Sequence, residues 1–276
     1  MTKKKRRIIF AALLAAFLFS VAMVVRQQAE YRRIEADREA AARIAGLEEA
    51  SPEPEPAASA VPAASREPEP PQDSARPLTP DAERLAQVDL LALREINGDV
   101  AGWIDIPGTE LSYPLMQGPD NQYYLNRNWK NQASSGGSLF LEWTNRKDLS
   151  DFHTIVYGHR MRDDSMFGTL KYYDSLDFWR EHPCVYVALY GRVYRYEIFS
   201  AQQAEVRGIV YRLDLQQSGL EEEFVQYCVE NSVIDTGVTP DPEGRFLTLS
   251  TCVDNGRNYA KRWVVHAVLR DVWTVE

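Results

Sequence analysis

Three patterns of apolar and polar positions follow one another along the chain. Ile8 to Val25 is an unbroken uncharged run whose only hydroxyl is Ser20. A helix of that length, at about 1.5 Å per residue, covers roughly 27 Å and reaches across a bilayer. From Arg26 to Ala50 the chain is rich in Ala, Glu and Arg, and Glu39 and Arg43 stand in the favourable i,i+4 order. This predicts a charged helical stem with almost no apolar face. Ser51 to Pro80 is dominated by Pro, Glu and Ala. Such a composition cannot bury a core and predicts an extended spacer, at most roughly 90 Å long at about 3.1 Å per residue.

From residue 81 the pattern is that of a folded body. Asp81 as a cap, Glu83, and then Leu85, Val88, Leu91 and Leu93 predict a helix that stops at Asn97-Gly98. Short β-rich runs follow. They are Trp103–Ile106, Leu111–Met116, Ser138–Glu142, Phe152–Tyr157, Cys184–Leu189, Val193–Ser200, Arg245–Ser250 and Arg262–Leu269. Pro107-Gly108 ends the first, and Tyr190-Gly191-Arg192 reads as a hairpin turn. About eight strands with few helical interruptions suit a closed, mainly β barrel. The interruptions are Met166–Trp179 and a helix within Leu213–Asn231, the latter inside a long connection from about Ala201 to Arg245. Connections of that length in compact domains are often functional.

The expected organisation is therefore a basic segment 1–7, a membrane-spanning signal anchor 8–25, a stem and linker 26–80, and a catalytic body 81–276. Charge supports it. Residues 1–25 carry five basic and no acidic side chains, 26–80 seven and eleven, and 81–276 nineteen and twenty-nine. The basic end should stay in the cytoplasm, so the rest faces outside. Ser20-Val21-Ala22 also resembles a signal-cleavage site, but the apolar run is longer than most signal cores, which favours a retained anchor. Either reading exports the body. Its acidity argues against nucleic acid, whose binders carry a basic footprint.

There are three cysteines, Cys184, Cys228 and Cys252. The odd count leaves at least one thiol free. Cys184 and Cys228 read as buried apolar residues, with a bridge between them open to geometry. Cys252 ends the apolar strand Phe246-Leu247-Thr248-Leu249-Ser250-Thr251, which breaks into Asp254-Asn255-Gly256-Arg257. Ten residues on, Arg262 opens the next strand, and a tight connection would bring it beside Cys252. His159 follows a third strand in Gly158-His159-Arg160. A thiolate attacks, an imidazole moves the proton, and a guanidinium holds an oxyanion. On residues alone, a strand-end Cys is more often a small buried hydrophobe. His153, His182 and His266 also compete with His159, and Arg257 with Arg262. The histidines lack short ligand pairing and no CxxC occurs, so no metal or other cofactor is expected.

Tyr157-Gly158-His159 with Met161 and Ser165-Met166-Phe167-Gly168, then Thr248-Leu249-Ser250-Thr251-Cys252, then Arg262-Trp263-Val264-Val265, resemble the signature segments of sortases. The Thr-Leu-x-Thr-Cys form, the Met-Phe-Gly segment, Asp120–Leu125 and Gly137-Ser138-Leu139-Phe140 resemble class B. The resemblance runs from about residue 85 to 272. It implies an eight-stranded β-barrel with N-terminal helices and an extra helix before the strand leading to Cys252. It implies a cysteine transpeptidase that cleaves a C-terminal sorting signal after Thr through a thioacyl intermediate. Cys252 would be the nucleophile, His159 the general acid then base, and Arg262 the oxyanion holder. Asn121, Leu125, Tyr157, Ser250 and Thr251 would bind the signal, and Asp254 matches an acidic position near the nucleophile. Arg160 departs from the Asn expected there. The implied partners are surface proteins with a sorting signal, an amine acceptor from a peptidoglycan precursor or a pilin-like lysine, and the membrane through residues 8–25. An L,D-transpeptidase is the enzymatic alternative, although its His and Cys normally lie close together in sequence. A non-catalytic wall-assembly protein on a sortase fold is the other.

Overall fold

The structure, a computed structural model, describes residues 3–47, 76–253 and 258–275. Eight strands close into a barrel: β1 (Val100–Asp105), β2 (Ser112–Met116), β3 (Leu139–Leu141), β4 (His153–Tyr157), β5 (Cys184–Leu189), β6 (Arg192–Glu205), β7 (Phe246–Val253) and β8 (Asn258–Thr274). Their order around the barrel is β1-β2-β3-β4-β7-β8-β6-β5. Only β2/β3 and β4/β7 run parallel; the other neighbours are antiparallel. The eight expected strands are all present, and closure leaves no unpaired edge.

Strand parity sorts the side chains. On β7, Leu247, Leu249 and Val253 point into the barrel with Val265 and Ala267 of β8 and Val156 of β4. Phe246 of β7 and Val264 and Val268 of β8 belong to a second cluster on the outer face, under the long β6–β7 connection. That connection supplies Val210, Leu215, Phe224, Val225 and Cys228. A third cluster covers the opposite side, where Leu85, Leu90 and Leu93 pack on Trp103 and Phe140.

The helices are shorter than the apolar periodicity suggested. The stretch Asp81–Asn97 is two helices, α2 (Pro80–Ala86) and α3 (Leu90–Ile96). Thr79, not Asp81, caps α2, with its hydroxyl accepting from Ala82 N at 3.2 Å, and Pro80 occupies the first helical position. Asp89 then caps α3 through Ala92 N at 2.9 Å, so the break falls where a carboxylate competes for backbone donors. The stretch Met166–Trp179 is a 3-10 turn, Thr169–Asp174, followed by α4 (Leu176–Glu181). Leu213–Asn231 divides into α5 (Leu215–Ser218) and α6 (Glu221–Glu230) around left-handed Gly219, φ 63°. α6 is the extra helix ahead of β7.

The stem is helical as expected, within one continuous α1 (Lys3–Ile44). It does, however, have a face. Ile34, Ala41 and Ala45 are buried, and their spacing of seven and four residues puts them on one side of the helix. Burying Ile34 alone is worth roughly 1.5–3 kcal/mol. The segment 26–80 is thus no uniform spacer, because its first third is packed on the body.

Candidate active site

β7 runs between β4 and β8, and the pairing registers assemble the site. Cys252 pairs directly with Arg262 across β7/β8. Tyr157 pairs with Ser250 across the parallel β4/β7 ladder. One residue on, Gly158 N donates to Ser250 O at 3.2 Å, and the Thr251 hydroxyl donates to Gly158 O at 2.8 Å. His159 follows the end of β4 two residues beyond the Tyr157–Ser250 pair, the same step that leads to Cys252 on β7. Cys252 and Arg262 thus lie side by side on neighbouring strands, and the register puts His159 in the same row just past the end of β4. The row shares the outer parity with Thr248, Ser250, Val264 and His266, at the strand end where the cover supplied by α5 and α6 stops.

Gly158 is required by close approach: a Cβ there would lie 2.3 Å from Leu139 Cδ2 and 2.7 Å from Phe167 Cδ2. The backbone of His159 is held by Phe167 N donating to its carbonyl at 3.0 Å. Between them the loop turns through Asp164 and Met166, both with left-handed backbone (φ 67° and 53°). The bend carries Phe167 back to pin the histidine. Its Nε2 donates to the Leu125 carbonyl at 2.7 Å, which places a proton on that nitrogen and fixes the ring plane. Arg262 donates to Lys261 O at 3.0 Å. Cys252 is a free thiol and is partly exposed.

The expected signal-binding residues fall into two groups. Asn121, Leu125, Tyr157 and Ser250 surround the row. The Asn121 amide donates to the Glu142 carboxylate, and its carbonyl accepts from Trp143 N at 2.9 Å. The Tyr157 phenol donates to the same carboxylate at 3.0 Å. Burial, with the Glu142 charge adding to it, pushes this phenol well above the ordinary tyrosine range. Thr251 is buried, and its hydroxyl clips β7 to the end of β4. Asp254 lies outside the described residues.

Two residues enter that the sequence did not single out. Glu142, buried just beyond β3, collects Asn121, Tyr157 and the Thr144 hydroxyl on one carboxylate. A charge one residue past a short strand carries no mark in the sequence. Tyr211, in the 3-10 turn Ile209–Tyr211 of the long connection, shares a hydrogen bond of 2.7 Å with the Ser250 hydroxyl. Burial pushes its phenol up to about 12, opposed by the Ser250 hydrogen bond and the Arg262 charge. The length of that connection was its signal; which residue it would deliver was not.

A barrel with a strand-end thiol flanked by imidazole and guanidinium on adjacent strands defines a cysteine transpeptidase scaffold. Comparison with known proteins places it. Residues 104–270 match the sortase domain family model. The chain is 34% identical over 182 residues to sortase B of Listeria monocytogenes, covering 66% of this chain and 74% of that one. It is 33% identical to sortase B of Staphylococcus aureus over 64% and 72% of the two chains. Among solved structures, a Staphylococcus aureus sortase B–substrate complex superposes with a TM-score of 0.61 at 31% identity, covering 69% of this chain and 86% of that chain. Sortase B of Bacillus anthracis in complex with AAEK1 superposes with a TM-score of 0.58 at 35% identity, covering 65% and 83%. The chain belongs to the sortase family, with class B sortases among its relatives, and is a transpeptidase. The L,D-transpeptidase alternative is set aside by this assignment.

Proposed function

We propose that the protein is a membrane-anchored sortase that works outside the cell. In this reading it joins proteins bearing a C-terminal sorting signal to an amine of the wall or of another protein. The observation that carries the reaction is the row itself: Cys252 paired with Arg262 on one side, with His159 just past the end of the neighbouring β4 on the other. The Cys252 thiolate attacks the carbonyl carbon of the signal's Thr, forming a C–S bond. The guanidinium of Arg262, which keeps its charge at any working pH, faces the oxyanion that forms. Collapse breaks the C–N bond, and protonated His159 gives its proton to the departing amine. An acceptor amine then attacks the thioester and His159 takes up the amine's proton. The new amide leaves and the thiolate returns. The Leu125 carbonyl holds the imidazole in place through both half-reactions, and Ser250, Tyr211, Tyr157 and Asn121 form the walls along which the signal lies extended.

Anchoring rests on α1. Its apolar run is exposed on every side, with Phe10 at 68% and Phe17 at 63%. A helix apolar all round suits lipid, and this one is long enough to cross. The basic residues before it favour a cytoplasmic N-terminus and an external barrel.

The test is mass spectrometry of the purified protein with a panel of sorting-signal peptides and a small amine acceptor. The expected result is a thioester adduct on Cys252 and an acceptor-dependent amide product. No adduct across the panel, together with a Cys252 that resists alkylation in the folded protein, would turn the reading to a non-catalytic assembly protein.

A further inference from the structure

The composition of residues 26–80 describes a spacer set in series between membrane and barrel. The contacts of α1 describe something else. Beyond the apolar run, which ends at Val25, Glu30 accepts from the Ser135 hydroxyl at 3.2 Å. Ile34 is buried against Gly136, where an added Cβ would come within 2.7 Å of Ile34 Cδ1. Asp37 takes three partners: its carbonyl accepts from Trp129 Nε1 at 2.9 Å, its carboxylate from Asn128 Nδ2 at 2.8 Å, and Lys130 Nζ lies at 3.6 Å. Arg38 pairs with Glu110 at 3.2 Å, and Ala45 O accepts from Asp89 N at 3.0 Å. A single helix thus leaves the apolar run and docks on the barrel within a few turns.

Both ends of the stretch 48–75 are fastened to that same body. Leu47 packs in the cluster around Trp103, as does Leu78, and Arg76 O accepts from Trp273 Nε1 at 3.0 Å. A segment attached to the body at both ends is not in series with the anchor, whatever its conformation. Its length adds nothing to the reach of the site.

The distance to the membrane can then be bounded. Ile34 is nine residues past Val25, about 14 Å along the helix. Gly136 touches Ile34, the next residue Gly137 abuts the Leu125 carbonyl, and that carbonyl holds His159 at 2.7 Å. The imidazole is therefore on the order of 30 Å from the apolar edge of the bilayer, against roughly 90 Å of added reach for a spacer in series. The short exposed piece of α1 carries Arg26, Arg32 and Arg33 against Glu30, an excess of positive charge suited to anionic headgroups.

We propose that α1 seats the barrel directly on the external membrane surface, with the loop after Trp129 turned to the lipid headgroups, and that residues 48–75 are not a tether. This rests on the anchoring reading above, and the test separates the two. The full-length protein is first floated with vesicles containing phosphatidylglycerol, then measured by neutron reflectometry in a supported bilayer of the same lipids. The expected profile is a protein layer adjoining the headgroups, unmoved when twenty-five Gly/Ser residues are inserted between residues 55 and 70. Ile34→Glu should detach the layer. If that variant fails to fold, the insertion still decides. Flotation with a water layer beneath the barrel that thickens with the insertion would overturn the seating and leave the anchor standing. Failure to float would overturn the anchor, and the seating with it.

Discussion

Strands β4, β7 and β8 carry two rows of polar side chains, and the contrast between them shows what makes a site. The first is His159, Cys252 and Arg262, at the strand ends. The second lies four residues back along β7: His153, Thr248 and His266, with Gln202 of β6 behind. In the second row every ring nitrogen is engaged. His153 Nδ1 donates to Arg212 O at 3.3 Å, and the Thr248 hydroxyl donates to His153 Nε2 at 2.7 Å. His266 Nδ1 donates to Thr248 Oγ1 at 2.9 Å, and the Gln202 amide donates to His266 Nε2 at 3.1 Å. The chain closes only with both imidazoles neutral. Burial lowers His153 to about 4 and His266 to about 3, the latter with His153 adding to the effect. Polar side chains on the same strands thus give an inert clamp where they are sealed and, in the reading proposed above, a reactive row at the strand ends.

Cys252→Ala should break the contrast most sharply. Transfer, followed as acceptor-dependent product by mass spectrometry, should vanish, while calorimetry shows a near-unchanged melting temperature because the thiol is a half-exposed strand-end group. Normal turnover by this variant would sink the mechanism. Arg262→Ala and His159→Ala should each lower kcat/KM on the order of 10²–10³-fold, the usual cost of an oxyanion partner or a positioned acid–base group, again with little change in stability.

Thr248→Val should do the reverse. It keeps the shape but leaves an acceptor on His153 and a donor on His266 unpaired, each costing about 1–3 kcal/mol when buried. Urea titration should show the loss. Turnover per folded molecule at neutral pH should stay within a few-fold of the parent; a collapse in kcat with unchanged stability would mean that the clamp takes part in chemistry.

A gentler break is pH. The unfolded imidazoles titrate near ~6.5, above their folded values, so in the window between the unfolded chain binds more protons. Stability from this row is fully present above the unfolded value. It falls as pH drops through that value towards about 4, where His153 begins to charge in the folded state as well. The melting temperature of the parent should decline over that interval, and that of a His153→Phe variant should decline less. Equal slopes would show that the row does not set the acid limit.

Much of this was legible in the chain because it is local. Alternating apolar runs marked all eight strands, and the Cys, His and Arg segments could be read in order as sortase signatures. What escaped the reading depends on residues far apart in sequence. Glu142 becomes a hub only when β3 and β4 and the Asn121 segment meet. Tyr211 reaches Ser250 only because the long connection folds back over β7. The breaks at Asp89, Ser175 and Gly219 shortened every helix for which apolar spacing alone gave no stop. Among four histidines, residue types alone favour His159 only modestly before the family resemblance, whereas burial separates it from His153 and His266 outright.

By itself, then, the sequence determined the strand count, the candidate residue types and the apolar N-terminal run, since each follows from periodicity, chemistry or length within a short window. Only the tertiary structure decided which histidines are buried, which carboxylate gathers Asn121 and Tyr157, and that the stem packs on the barrel. Those depend on strand register and on which faces are covered, and a charged stem with three buried positions looks the same in sequence whether or not a barrel is there to receive them.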